Sequence, residues 1–535
     1  MPKSNVRDHR KDSPKIPPSK PSSVPEGIVR DHRKTGIEHI FVLMLENRSF
    51  DHMLGFSGIQ GKDALTGKPR SINGLKGTES NSFGGHTYTV QRGAANVMPH
   101  DPKHEFEHVL QQLAGPVAAY PHGGAYPAVN NSGYVASYTK SDDFNMAKDN
   151  PGEVMKCYDT RAQLPVLYAL AEAFVVCDNW YASMPGPTWP NRMFAHAGSS
   201  GGLDYSPGSL DMLGWEVGPD GGFGFKHGTI YDCLRKAKIK YRLYAGDDFP
   251  QVAALKGVSI TEIKDFSDHF VKDLESSKLD FQYAFIEPSY DVINDYRNGT
   301  SQHPLANVTH GEALIKATYE AIRNSPAWGK SLLIITWDEH GGFYDHADPG
   351  KPPQCVAPGD TSPGSEYNHH GFTFEHFGPR VPAIVVSPLI PANLVDHRIY
   401  DHSSIPATIA RVFGTEEMTW RDSFANGLNS LATLKTAITG APKILPSPPA
   451  EAMARVMAPP VVGATPVARA EAPVNEGNLP GFLHSALRQD IQISGPEQRQ
   501  AIIARVQSIK TRGEAMEYLR EVQQKVRPRR VAATP

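Results

Sequence analysis

Two short stretches of this chain carry the residue types that a divalent cation takes as ligands. The apolar run Ile40–Leu45 stops at Glu46-Asn47 and continues into Arg48, Ser49, Asp51 and His52. Far downstream, Leu332–Trp337 stops in the same way at Asp338-Glu339, followed by His340-Gly341-Gly342 and then Asp345-His346. Apolar runs of this length read as buried strands. Hard oxygen donors at their ends fall on the carboxyl edge of an α/β sheet, where such folds build their sites. Together the two edges offer four oxygen donors to one cation. Three carboxylates and a neutral amide suit Ca²⁺, Mg²⁺ or Mn²⁺, and Zn²⁺ also accepts carboxylates, so the donor set does not choose the metal.

A third stretch has the makings of an anion site. Ala173–Cys177 reads as a strand, and Met184-Pro185-Gly186-Pro187-Thr188-Trp189-Pro190-Asn191-Arg192 follows before the pattern turns helical through Met193, Phe194 and Ala197. Thr188 stands where that helix begins, with Pro190 tolerated in the first turn. A helix N-terminus favours phosphate, but a threonine there is also an ordinary N-cap, and spacing alone favours the cap. Two further patterns match formally. His104-Glu105-Phe106-Glu107-His108 fits HExxH, which on a helix would aim two imidazoles at zinc. Gly198-Ser199-Ser200-Gly201-Gly202 fits GxSxG, but that elbow needs a strand before it and Met193–Ala197 reads as helix. No GxxxxGK[ST] phosphate loop occurs.

The elements that must position these residues alternate between strand and helix patterns, the mark of a mainly parallel sheet covered by helices. The expected strands are His39–Leu45, Ala173–Cys177, Tyr241–Tyr244, Phe281–Ile286, Ser331–Trp337 and Val381–Val386. The expected helices are Glu107–Leu113, Leu164–Glu172, Gly311–Asn324 and Ser404–Phe413, the last opened by an N-cap in Asp401-His402-Ser403-Ser404. Gly-rich loops at Ser57–Gly93, Gly115–Gly133, Ser199–Gly224 and Ala347–Gly371 are long enough to shape a site.

ENRSFDHMLG, PTWPNRMFAHAGSS, SQHPLANVTHGE, TWDEHGGFYDH and GPRVPAIVVSP, in that order, resemble the phosphoesterase family of bacterial phospholipases C, plant non-specific phospholipases C and acid phosphatases. The likeness runs from about Ile37 to Phe424. It implies an alkaline-phosphatase-like α/β fold and a metal-dependent hydrolase of phosphoric esters, with one or more divalent ions (Ca, Mg, Mn or Zn). Residue by residue it implies metal ligation by Glu46, Asn47, Asp338 and Glu339. It implies Thr188 as nucleophile through a phosphothreonine, and Asn191 with Asn47 on the phosphoryl oxygens. His104 and His303 would face the phosphate pocket, either one protonating the leaving group. His340, Asp345 and His346 would orient the ligands, and Arg48 would form a structural ion pair. The activity expected first is a phospholipase C that splits phosphatidylcholine into diacylglycerol and phosphocholine. An acid phosphatase on monoesters is the alternative, and a non-catalytic phosphate- or lipid-binding protein the alternative of another class. Tyr120, Tyr126, Tyr134 and Tyr138 are candidates for choline recognition.

A chain of 535 residues suits one large catalytic unit with appendages. We expect a basic, Pro-rich disordered tail over 1–35, a catalytic domain over 36–440, a Pro/Ala-rich linker over 441–475 and a helical C-terminal extension over 476–535. VRDHRK occurs twice in the tail, without a physical account. With 54 Lys and Arg against 57 Asp and Glu, no charge surplus supports nucleic-acid binding. No apolar run approaches a membrane span, and the N-terminus lacks an apolar signal core. The expectation is a cytoplasmic protein, with export by another route left open. Four scattered cysteines read as reduced thiols, with a Cys157–Cys177 disulfide as the alternative. Ile502, Val506, Ile509, Tyr518, Leu519 and Val522 recur at helical spacing in the extension. That stripe packs on the catalytic domain or a second subunit, or forms a peripheral membrane contact. Partners are a phospholipid or small phosphate ester, with oligomeric state open.

Overall fold

His39–Leu45 has the sequence HIFVLML, and every residue but His39 is buried. A strand apolar on both faces belongs in the middle of a sheet covered on both sides, and that is where it lies. The computed structural model describes residues 34–216, 221–276, 279–350, 367–456 and 469–532. The expected basic tail lies outside these residues but for its last two, as do Cys355 and part of the Ala347–Gly371 loop.

One sheet contains β1 (His39–Leu45), β2 (Gln60–Asp63), β3 (Pro69–Ser71), β4 (Val175–Cys177), β5 (Tyr241–Ala245), β6 (Ile263–Asp265), β7 (Tyr283–Glu287), β8 (Ser331–Trp337), β9 (Ala383–Val386) and β10 (Leu394–Asp396). Their spatial order is β6-β5-β7-β1-β8-β9-β4-β10-β2-β3. Pairing is parallel from β6 through β8 and again among β4, β10 and β2. β9 runs antiparallel between β8 and β4, and β3 is antiparallel to β2. The parallel register of β1 with β8 aligns Leu45 with Trp337, so the residues after each leave the same edge side by side.

The flanking helices are α1 (Phe106–Ala114), α2 (Pro165–Ala173), α3 (Thr188–Ala197), α4 (Val308–Asn324), α5 (Ser404–Phe413), α6 (Ala450–Val456), α7 (Leu479–Ser494), α8 (Arg499–Ser508) and α9 (Arg512–Ala532). α4 packs on β1 and β8 and carries α2 and α6, while α3 packs against α5. Every expected strand and helix is present, with ends displaced by a few residues. Ser57–Gly93, expected as a loop, instead holds β2, β3 and a hairpin pairing Ser80–Phe83 with His86–Thr89. These strands are short, polar and largely exposed, so they lack the apolar alternation by which a strand is read.

Within the expected linker, Ala441, Leu445, Ala452 and Val456 are buried in the main core. α7, α8 and α9 share a second core with Phe249, Tyr290, Val292, Ile293 and Tyr296, from the segments that follow β5 and β7 at the carboxyl edge. Ile502, Val506, Ile509, Tyr518, Leu519 and Val522 all point into it. The stripe a membrane contact would need is thus taken up by the protein itself. No helix among the described residues is long and apolar enough to cross a membrane. Cys157 and Cys177 are buried and free, not bonded to each other.

Candidate active site

Because β1 and β8 are parallel neighbours in register, Glu46-Asn47 and Asp338-Glu339 emerge together, and all four residues are fully buried. Asp338 Oδ1 accepts from the backbone N–H of Asn47 at 3.0 Å and of Glu339 at 2.7 Å. The Asn47 side-chain amide is in close contact with Glu339 Oε1, and Glu339 Oε2 accepts from Gly341 N at 2.8 Å. Asn47 is in the left-handed region with φ 57°, a conformation asparagine tolerates. The two turns press together so closely that a Cβ on Gly341 would lie 2.2 Å from the Asn47 carbonyl oxygen. The glycine of the DEHGG segment is there for that approach.

Charge in this pocket is lopsided. Neither oxygen of Glu46 has a hydrogen-bond partner, nor has Asn47 Oδ1. Burial, together with the negative charge of Asp338, pushes the Glu46 carboxyl far above its ordinary range, and burial raises Asp338 to about 6. A buried carboxylate without donors needs either a proton or a cation. Glu46, Asn47, Asp338 and Glu339 leave neighbouring strand ends, with both Glu46 oxygens and Asn47 Oδ1 unpartnered, while Asp338 Oδ1 already accepts two hydrogen bonds and Oδ2 one. The donor set fits a hard divalent cation.

Thr188 is the first residue of α3 and is fully buried. Its hydroxyl caps nothing in its own helix. Oγ1 accepts instead from Asn47 Nδ2 at 3.2 Å and from Asn478 Nδ2 at 3.2 Å. Asn191 is committed elsewhere: its amide donates to the carbonyls of Met184, Gly186 and Pro187 and accepts from Met184 N. It has no donor left for a phosphoryl oxygen, and it fixes the loop that delivers Thr188. Arg192, one turn further, donates through Nε to Asp338 Oδ2 and through Nη2 to the carbonyls of Met44 and Leu45.

His104 donates Nδ1–H to the Pro102 carbonyl at 2.8 Å, which leaves Nε2 for a substrate. Burial works against its charge, but the carboxylates of Glu339, Asp101 and Glu105 outweigh it and raise His104 to about 9. His303 is the opposite case. Its ring stacks on Tyr296 at 3.7 Å, Nδ1 accepts from Leu305 N, and Nε2 lies 3.6 Å from Asp101 Oδ2. Burial and the charges of His104 and Arg48 hold it well below the ordinary value, so it stays neutral. α1 begins at Phe106, after His104, so the HExxH pair does not share a helical face. GxSxG follows α3, not a strand.

His340 has Nδ1 3.3 Å from Glu339 Oε2, and its Nε2 donates to Gln112 Oε1 at 2.7 Å. Asp345 and His346 do not reach the four-residue cluster. They gather with Asp51, whose Oδ2 lies 2.7 Å from His346 Nδ1. These three could present ligand atoms within 4.8 Å of one another. That position already holds a cation, because Arg380 pairs with Asp51 Oδ1 at 2.9 Å and with Asp345 Oδ1 at 2.8 Å. Among the described residues, Asp51, Asp345 and His346 are the one group of three His, Cys, Asp or Glu side chains whose ligand atoms lie within 4.8 Å of one another. Arg48, expected in an ion pair, donates to the Gln302 carbonyl and contacts His52. Ser403 makes no side-chain cap for α5; His402 instead donates to the Asp338 carbonyl at 2.5 Å and braces the strand end.

Tyr134 and Tyr138 are buried in a small core with Phe343 and Tyr344. Tyr120 and Tyr126 join Phe106, Phe372 and Phe374 in an aromatic group next to Met184 and the start of α1. Sequence reasoning missed three groups here. Arg192 and Arg380 lay inside or beside quoted motifs, but nothing in the sequence says which carboxylates they meet. Asn478 had no signal at all.

A sequence model of the phosphoesterase family matches residues 37–416. The chain is 33% identical over 429 residues to non-specific phospholipase C6 of Arabidopsis thaliana, covering 77% of this chain and 75% of that protein. It is 29% identical over 440 residues to phospholipase C B of Mycobacterium tuberculosis, covering 74% and 77%. Among solved structures, a protein of the alkaline phosphatase superfamily from Vibrio parahaemolyticus matches with a TM-score of 0.29 at 15% identity, over 49% of this chain and 64% of that one.

Proposed function

Given that the chain belongs to the phosphoesterase family and is a hydrolase of phosphoric ester bonds, we propose that it is a phospholipase C using Thr188 as nucleophile. Its substrate would be a phospholipid such as phosphatidylcholine, cleaved to diacylglycerol and phosphocholine. One observation carries the reading: a buried threonine hydroxyl at a helix start, beside the unpartnered oxygens of Glu46 and Asn47 at the end of β1 and the buried carboxylates of Asp338 and Glu339 at the end of β8. A divalent cation held by Glu46, Asn47, Asp338 and Glu339 would neutralise phosphoryl charge and favour a deprotonated hydroxyl.

The remaining roles fall to the chain itself. Thr188 Oγ1, its proton released to solvent, attacks phosphorus as the alkoxide, and the bond to the glycerol oxygen breaks. His104, with Nδ1 anchored on Pro102, gives its Nε2 proton to the leaving alkoxide. Water then attacks the phosphothreonine, and neutral His104 takes the proton from that water, which returns the enzyme to its starting state. His303 is neutral and stacked, so its Nε2–H acts as a hydrogen-bond donor at the pocket wall. The free N–H groups of α3 face the same phosphoryl group.

The test is Thr188→Ala against Thr188→Ser, assayed on p-nitrophenyl phosphorylcholine and p-nitrophenyl phosphate with divalent metal present. Losing an activated nucleophile removes the covalent route, so turnover should fall by several orders of magnitude in Thr188→Ala and persist in Thr188→Ser. A folded Thr188→Ala enzyme within about tenfold of wild type would overturn the reading. Preference for the monoester over the choline diester would make the protein a phosphatase.

A further inference from the structure

The C-terminal segment reaches Thr188 through one side chain. Asn478 immediately precedes α7, and its Nδ2 donates to Thr188 Oγ1 at 3.2 Å. Asparagine before a helix ordinarily turns back to accept from the N–H groups of the first turn. Asn478 makes no such cap. Its Oδ1 is buried and has no partner, and the residue is only 6% exposed. Leaving a buried acceptor unpaired and a cap unmade are both unfavourable. Asn478 accepts both conditions while its amide points at the hydroxyl.

The backbone around it is built for the same approach. A Cβ on Gly481 would stand 2.0 Å from Trp189 Cε2, the residue next to Thr188. Only glycine lets the first turn of α7 come this near the first turn of α3. Phe482 packs its ring on Trp189 and Tyr290. Further along, Glu216 binds His484, Arg488 and Arg499, while Asp248 binds Gln523 and Arg527. These bonds leave α7 little freedom to withdraw. Two amide donors, one from each end of the chain, converge on Oγ1, and two helix N-termini of 10 and 16 residues meet beside it. Donors to an oxygen stabilise its anion, and helix N-termini favour negative charge.

We propose that Asn478 is a catalytic residue: its amide holds Thr188 Oγ1 in place and stabilises the negative charge there as the hydroxyl proton leaves. The inference rests on Thr188 being the nucleophile. The C-terminal helical segment, beyond the residues matched by the family model, then completes the active site.

The experiment compares Asn478→Ala and Asn478→Asp in the full chain, with Thr188→Ala alongside, on p-nitrophenyl phosphorylcholine. Removing one preorganised donor to a reacting oxyanion should lower kcat by about 10²–10³, with KM nearly unchanged. Melting temperature separates this role from a structural one. Asn478→Ala deletes one hydrogen bond and an unpaired acceptor but no cap, so its Tm should change little beside the fall in kcat. Asn478→Asp keeps the volume and loses the donor; it should be slow out of proportion to any change in its Tm. Both variants turning over within threefold of wild type, with Thr188→Ala inactive, would overturn the inference and leave the nucleophile standing. A loss of activity that tracks a loss of Tm in both variants would also overturn it. An active Thr188→Ala enzyme would defeat the nucleophile reading and this inference with it.

Discussion

Arg192 Nε donates to Asp338 Oδ2 at 2.9 Å, and its Nη2 reaches the carbonyls of Leu45 at 3.0 Å and Met44 at 3.2 Å. One guanidinium thus fastens helix α3 to the ends of both β1 and β8. Thr188 lies four residues earlier on the same helix face, so this contact sets where the hydroxyl sits relative to the carboxylates. Both partners are buried. Burial works against the guanidinium charge, but Tyr290 and the carboxylates of Asp338, Glu46 and Glu287 raise its pKa further.

Arg192→Met should be strongly destabilising, because it leaves Asp338 buried without its cation. The expected loss is about 3–5 kcal/mol in urea titrations. Arg192→Lys keeps the charge but not the fork that bonds a carboxylate and two carbonyls together, so it should fall between. A methionine variant within about 1 kcal/mol of wild type, well below that range, would mean the pair contributes little.

The two acidic clusters can be told apart by metal-dependent melting. In EDTA, Glu46→Gln should raise Tm, since it replaces a buried carboxylate that lacks donors. The same variant should lose the Tm increase that Ca²⁺, Mg²⁺, Mn²⁺ or Zn²⁺ gives the wild type. Asp345→Asn should do the reverse, melting lower in EDTA because Arg380 loses a partner and keeping its response to metal. Loss of that response in Asp345→Asn alone would move the cation site to Asp51, Asp345 and His346.

The pattern of the site was legible and its wiring was not. Glu46-Asn47 and Asp338-Glu339 could be placed because an apolar run ending in oxygen donors has one address in an α/β sheet, and the β1–β8 register made them neighbours. Asp345 and His346 were misplaced because sequence distance from Glu339 says nothing about direction. The turn through Gly341 and Gly342, at φ 65° and 71°, carries the chain toward Asp51 and Arg380 instead. The C-terminal helices were hardest to read. His484, Arg488, Gln489 and Asp490 make α7 look like a surface helix, yet all four are buried. Their partners, among them Glu216, Asp248 and Tyr518, come from distant segments, and periodicity registers polarity but not the partner that permits its burial.

Glu216 gives the C-terminal segment a pH dependence. Burial alone would raise its pKa, but the hydrogen bond from His484 and the charges of His484, Arg488 and Arg499 hold it at about 2. A carboxyl lowered on folding contributes stability above its unfolded pKa, near 4.5, and loses it as pH falls toward 2. Wild type should therefore lose urea resistance more steeply between pH 4.5 and 2 than Glu216→Gln, while at pH 7 the glutamine variant is the weaker of the two. Parallel curves for the two proteins across that window would show that the cluster does not hold the helices down.

Gly481→Ala tests the docking of α7 by the sign of its effect. In a helix interior, alanine is ordinarily favoured over glycine by about 1 kcal/mol. At position 481 the new Cβ would stand 2.0 Å from Trp189 Cε2, a separation that carbon atoms do not adopt. Either the tryptophan or the whole first turn of α7 must move, and overpacking of this kind typically costs about 1–3 kcal/mol. The variant should be less stable than wild type despite the gain in propensity. It should also be slower, because the displaced elements carry Thr188 on one side and Asn478 on the other. Gly214, in the helix Ser209–Trp215, has nothing within 4 Å of where a Cβ would stand, so Gly214→Ala is the control and should be neutral or mildly stabilising. If Gly481→Ala matches that control in both melting temperature and kcat, α7 does not press on α3 in solution, and the contact between Asn478 and Thr188 loses its support.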